Sequence, residues 1–399
     1  MSDHSHVEIK PETFDYKHVG GKFLLLSAVG GLTLLACFAY GFFFDSRQFA
    51  FSYLFGFYFF FTICMGGLFW QLVHHGFDAE WSTVLRRQLE NIASLLLILG
   101  ILFIPLFFVR EELWKWMKMG PGEDALLDGK SAYLNQPFFW IRCVFYFVFF
   151  AVASYLLKRN SVRQDIDGDT KYTIRNRRVT FISLPLFAIA LSFAAVDYLM
   201  GLDFHWYSTM WGVYIFAGTA LSSLCVLVLI ITALRSAGYL RDVVTVEHYH
   251  IMGKLMFAFT VFWAYITFSQ YMLIWYANIP EETIWFLQRN TASWWYLNIA
   301  LVIGHFFVPF LLLMPYSNKR RPAFLCGVAV WILFMHLLDL YVMVLPVLHR
   351  TGVSVHFMDF LCPLAIGCIL AAVFLKRLGD TGLFPSKDPR IEPSVQLKN

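Results

Sequence analysis

Apolar stretches separated by short polar segments divide the chain into ten parts, at 23–44, 49–73, 91–109, 137–157, 179–200, 209–234, 255–277, 293–315, 323–346 and 357–375. A bilayer core of about 30 Å needs about 20 apolar residues per helix, so the pattern predicts ten transmembrane helices. Most stretches are bounded by Lys or Arg on one side and by Trp, Tyr, Pro or Gly on the other. The period-two alternation of a β-barrel is absent, and outer-membrane strands are half as long. The predicted fold class is an all-α polytopic membrane protein.

Basic residues in the connections orient such a protein. Of the 31 Lys and Arg, 23 lie in segments on the N-terminal side and seven on the opposite side, with Arg142 just inside the fourth stretch. Both termini are therefore expected in the cytoplasm. The outer side has one long connection, Arg110 to Gln136, whose Leu113-Trp114-Lys115-Trp116-Met117 looks amphipathic, suited to the interface plane or to a docking partner. The charged segment 158–178 reads as a solvated cytoplasmic loop.

Composition narrows the picture further. Hydrophobic residues make up 59% and charged residues 15%, with 43 Phe and 13 Trp, which excludes a soluble globule, a disordered chain, a collagen and a disulfide scaffold. The net charge of +4 resides in loops and tails and points to no nucleic-acid partner. The seven Cys (37, 64, 143, 225, 326, 362 and 368) lie in apolar runs without C-x-x-C spacing, which argues against covalent haem, an iron–sulfur cluster or structural zinc in this chain. The polar segment 1–22, with Asp3, Glu8, Glu12 and Asp15, precedes a run too long for a signal h-region and without a small-residue cleavage site, so that run reads as a retained span.

An internal repeat suggests the organisation. Ser52, Gly56, Tyr58 and Phe60 recur as Ser208, Gly212, Tyr214 and Phe216 at a constant offset of 156 residues, and both copies enter from the outer side. These are expected to be parallel repeats of four helices. The implied layout is a cytoplasmic segment (1–22), a first flanking helix (23–48), a four-helix bundle (49–200), a second four-helix bundle (201–346), a last flanking helix (347–375) and a cytoplasmic tail (376–399). Chance likeness in an aromatic-rich chain is the alternative.

Ionisable residues at membrane depth cost at least about 2.5–3.5 kcal/mol near a helix centre, so each needs a reason. His336 and Asp339 share a helix face and can relay a proton to the outer surface, or simply tie helices together. Asp197, in the matching place of the first repeat and near Asp203 and His205, is either a second relay or a hydrated surface group. His305 lies near mid-membrane, where a hydrogen-bonded core histidine is the bland reading and a bis-His haem with His336 the exotic one. Arg142 is expected to snorkel to the outer interface. His74 and Asp78, with His75 and Glu80, form either a site of proton uptake or an interface cap. Tyr265, Ser269 and Gln270 place hydroxyl and amide groups on nearly one face of the seventh helix, for a water chain or for helix packing. Glu281 and Glu282 put carboxylates at the outer surface, for proton release or docking. Asp359 stands at the mouth of the last helix.

Trp263-Ala264-Tyr265, Ser269-Gln270, Leu273-Ile274-Trp275-Tyr276 and Asn278-Ile279-Pro280-Glu281-Glu282 resemble the membrane subunits of bacterial alternative complex III. So do Asp197-Tyr198-Leu199-Met200 leading to His205-Trp206-Tyr207-Ser208-Thr209-Met210, and Gly304-His305-Phe306 leading to Pro309-Phe310. These subunits belong to the NrfD-like (polysulfide-reductase membrane-anchor) superfamily, and the resemblance covers roughly residues 20–375. The chain is more similar to the smaller, ten-span member of the two such subunits. The resemblance implies two four-helix bundles and no intrinsic redox cofactor. It implies placement in the bacterial inner membrane among lipids, with a multihaem cytochrome c subunit, an iron–sulfur subunit and a larger homologous NrfD-like subunit as partners. Haem c and Fe–S clusters would sit on those partners, and the complex would oxidise quinol, such as menaquinol, for cytochrome c or another acceptor. In the family the quinol site is best attributed to the larger subunit, and its residues have no matching positions here.

The leading expectation is thus a subunit without redox cofactors that supplies a proton path or structural support. A direct quinol site, with an Asp–His pair as base, is a second reading. A secondary transporter, which calls for broken helices at midmembrane in both halves, and a pure scaffold are the remaining ones.

Overall fold

The computed structural model describes residues 10–16, 20–291 and 293–398; Asp3 and Glu8 lie outside them. Ten helices among these residues are long and apolar enough to cross a membrane, as in a multi-pass membrane protein. We number them span 1 (Gly20–Phe43), span 2 (Ser46–Gly76), span 3 (Glu80–Phe108), span 4 (Gln136–Asp167), span 5 (Lys171–Leu202), span 6 (Trp211–Ser236), span 7 (Val246–Ala277), span 8 (Trp294–Leu313), span 9 (Pro322–Val347) and span 10 (Met358–Gly379). No strand occurs among the described residues, only a bridge between Thr13 and Gly382.

Span 2 is the central element, buried along most of its length, and packs against spans 1, 3, 5, 6, 9 and 10. Span 6 packs against spans 2, 5, 7 and 9. Water drives none of this inside a bilayer, because lipid tails are as apolar as Leu; small residues that let backbones approach do much of it. Gly66 is such a residue, since a Cβ there would collide with the carbonyl oxygen of Thr219 and the side chain of Ser223 on span 6. Gly66→Val is expected to cost about 1–3 kcal/mol through overpacking, read as a lower midpoint in denaturant unfolding of the detergent-solubilised protein.

Several helices run further than the apolar stretches. The charged segment 158–178, expected as a solvated loop, is helical on both sides of a turn at Gly168, whose φ of 73° caps span 4. Hydropathy measures transfer into lipid, whereas Lys, Arg and Gln are good helix formers, so the helices continue past the membrane. Similarly, Thr83–Ala93 is a helix ahead of the apolar part of span 3, and its Arg86, Arg87, Gln88 and Glu90 are fully buried. The amphipathic stretch 113–117 also differs from expectation. Trp114 and Trp116 fold onto Phe139 of the chain itself, with ring centroids 4.9 and 5.7 Å apart, and are buried there.

The described N-terminal segment meets the chain beyond span 10, where Leu383 donates from its backbone N–H to the Glu12 carbonyl at 2.8 Å. The tail then runs across the helix ends. Asp388 accepts from Arg86 at 2.7 Å and from Arg390, which reaches on to Asp78 at 2.7 Å. Ser394 donates to the Trp81 carbonyl at 2.9 Å. Burial alone would push the Asp388 carboxyl up, but the Arg390 and Arg86 guanidiniums pull it below the usual carboxylate range. A depressed pKa stabilises docking above the ordinary carboxylate value, and that contribution is lost as pH falls through the depressed one. Hydrogen exchange of residues 383–398 is therefore expected to stay slow down to about pH 4 and to accelerate below it; Asp388→Asn should give the fast exchange already at neutral pH.

Candidate functional site

The two buried aspartates of spans 5 and 9 are held very differently. Asp197, on span 5, is buried and grips Arg142 of span 4 in a two-point ion pair, with Nε to Oδ2 at 2.9 Å and Nη2 to Oδ1 at 2.7 Å. The Tyr146 hydroxyl donates to the same carboxylate at 2.8 Å. Arg142 therefore turns inward, 8% exposed, and does not snorkel; Asp197 is buried and does not face the surface. A bidentate Arg–carboxylate pair away from water holds both charges in place.

Asp339, on span 9, is equally buried but has no cation. Tyr214 of span 6 donates its hydroxyl to Oδ1 at 2.5 Å, and the Trp263 indole of span 7 donates to Oδ2 at 3.1 Å. Among the described residues no ion pair includes it. It also borders a cavity of about 530 Å³ lined by spans 6 to 9 and the short helix Pro280–Arg289. Trp211, Trp263, Trp285 and Phe286 supply apolar wall, while Thr267, Gln270 and Asn298 supply polar groups. Arg289 lines one end, donating to the carbonyls of Val342 at 3.1 Å and Met343 at 2.8 Å and lying over the Trp285 ring. A carboxylate with neutral donors only can gain and lose a proton without breaking an ion pair, and Asp197 cannot.

His336 and Asp339 share a helix but serve different neighbours. The His336 ring meets Thr62 Oγ1 of span 2 at 2.9 Å and lies against Gly218, where a Cβ would come within 2.8 Å of it. No hydrogen bond joins it to Asp339 among the described residues. His305 sits in a π-helical turn, Val302–Phe307, of span 8, a distortion frequent at functional sites. Its ring is fully buried, 4.0 Å from the Trp263 ring and 6.4 Å from that of His336, and neither nitrogen has a hydrogen-bond partner. The structure thus groups His336, His305, Trp263, Asp339 and Tyr214 in sequence toward the cavity, although neither histidine lines it.

Other expected residues fall elsewhere. Tyr265 is 64% exposed on the outer surface of span 7, whereas Gln270 is buried and lines the cavity. Ser269 is half-buried and outside the cavity lining. The single-face reading fails because 265 and 270 lie five residues apart, about 140° around a helix of 3.6 residues per turn. Glu281 is exposed and outside the cavity lining. At the opposite end, His74 is buried between the Trp70 and Trp81 rings, while Asp78 pairs with Arg177 and Arg390 under the tail. No hydrogen bond joins the His74 ring to Asp78. Asp359 accepts from Ser52 at 2.6 Å, tying span 10 to span 2.

Tyr214, Thr267 and Arg289 belong to the site without having been singled out as polar candidates in the sequence. For Tyr214 a signal existed, because the repeat pairs it with Tyr58. For Arg289 there was none, since a single Arg in an outer loop reads as solvated. No protein-family model matches the chain, and no curated protein is similar to it by sequence.

Proposed function

We propose that this chain is the smaller (ActF-type) membrane subunit of a bacterial quinol-oxidising complex, where it carries protons through its second half and holds no redox cofactor of its own. One observation carries the reading: a buried aspartate with neutral donors only, beside a cavity and joined to Trp263, against which the buried His305 packs. Such a group can pass a proton between the membrane interior and the outer face, whereas Asp197 is fixed in an ion pair. The helices read as two four-helix units, spans 2–5 and 6–9, flanked by spans 1 and 10. Support comes from the 156-residue offset and from the pairing of span 2 with spans 3 and 5 and of span 6 with spans 7 and 9. The excess of basic residues on the side of the termini supports a cytoplasmic placement of both ends. The partners, a multihaem cytochrome c, an iron–sulfur subunit and the larger NrfD-like subunit, follow from the resemblance of the span 7 motif.

A second reading is favoured by the cavity itself, whose aromatic walls and terminal carboxylate suit a quinol head group, with Asp339 as the base. Photo-crosslinking of a quinone analogue to the complex purified through this chain separates the two. The proton-path reading expects label on the larger subunit alone. Label on Trp263, Trp285 or Phe286 replaces it with the quinol-site reading, and purification of the chain without haem or iron–sulfur partners sinks both.

A further inference from the structure

A groove of about 660 Å³ opens between spans 3, 4 and 10, at the end of the helices where the N-terminal segment meets the chain beyond span 10. Its floor is apolar and includes Leu97 and Val152, which are 57% and 49% exposed and continue the lipid-facing surface of their helices. Span 3 turns out of regular helix at Ser94 and Leu95, which lets the groove reach in between the helices.

The rim has the opposite character. Arg159 and Arg163 stand one turn apart on span 4, and Arg377 closes the groove from span 10. Among the described residues none of the three forms an ion pair, although Arg86, Arg87, Arg142, Arg177, Arg320 and Arg390 all do. Deeper in, the Ser154 hydroxyl is 99% buried and lacks a hydrogen-bond partner. Three guanidiniums outside any ion pair, with the Asp380 carboxylate near Arg377 and the Lys158 ammonium beside them in the lining, stand above an apolar slot and complement a phosphate that carries acyl chains. Guanidinium offers paired donors to phosphate oxygens, and basic pockets between helices at the cytoplasmic face suit anionic head groups.

We infer that this groove binds one anionic phospholipid of the adjoining leaflet. Arg159, Arg163 and Arg377 hold its phosphate and a chain lies along Leu97 and Val152. A zwitterionic lipid is disfavoured because its own cation would face the three guanidiniums. The inference stands apart from the quinol reading, since it requires only that the chain lie in a bilayer.

Native mass spectrometry of the full-length chain in neutral detergent tests it, with dioctanoyl phosphatidylglycerol, dioctanoyl phosphatidylcholine or inorganic phosphate as the added probe. One phosphatidylglycerol per chain is expected to bind at least about tenfold more tightly than phosphatidylcholine, as befits three cations near one anion. Arg159→Gln/Arg163→Gln/Arg377→Gln should erase that preference. Leu97→Trp, which fills the slot and leaves every charge in place, should weaken phosphatidylglycerol binding about tenfold and remains informative if the triple variant does not fold. Equal affinity for the two lipids overturns the inference, as does a preference that survives the triple variant or an unchanged affinity in Leu97→Trp. Inorganic phosphate binding as tightly as phosphatidylglycerol would show a site for the free anion and not for a lipid.

Discussion

Asp339→Asn is expected to lower proton release coupled to quinol oxidation on the order of 100-fold in proteoliposomes of the complex, while the complex still assembles. The size follows from replacing a carboxyl that borders the cavity and has neutral donors only. Assembly should survive because the amide satisfies the same neighbours: its oxygen accepts from the Trp263 indole, and its NH₂ donates to the Tyr214 hydroxyl. Quinol oxidation measured with an uncoupler present should fall far less than proton release. Normal proton release in Asp339→Asn would falsify the proton path. A parallel loss of uncoupled oxidation would instead favour direct deprotonation of quinol at this residue.

Arg142→Leu is expected to destabilise the protein by about 3–5 kcal/mol, because it leaves the Asp197 carboxylate buried beside a single hydroxyl donor. Arg142→Leu/Asp197→Leu should recover most of that loss, since removing both charges removes the desolvation they share. The comparison is a double-mutant cycle of denaturant midpoints in detergent. A double variant no more stable than Arg142→Leu would mean that the guanidinium acts through its contacts with the Tyr133 ring and carbonyl and not through Asp197. The same pair serves as a control for the first prediction: the double variant, once stable, should release protons normally, because Asp197 is locked in an ion pair and Asp339 is not.

The contrast between these two aspartates shows how far the sequence reached. Both were legible as costly charges near one end of an apolar stretch. Their difference was not. It depends on whether a cation on a neighbouring helix reaches the carboxylate, and Arg142 lies 55 residues from Asp197 in the chain. The same limit applied to span 7, where Tyr265 and Gln270 looked equivalent by type yet lie on different faces of the helix. It applied again at the helix ends, where Arg86 and Asp388 meet across 302 residues to bind a tail that reads as an ordinary polar end.

What the sequence determined by itself is the solvent of this protein and the number of its spans. Ten apolar runs of membrane-crossing length follow from transfer energies, which add residue by residue and need no knowledge of neighbours. Helix through the charged segment 158–178, the inward turn of Arg142, the cavity under Arg289 and the guanidinium-rimmed groove between spans 3, 4 and 10 were decided by tertiary structure alone. Each depends on which helices pack together, and that is set by close approaches such as Gly66 on Thr219, between residues far apart in the chain.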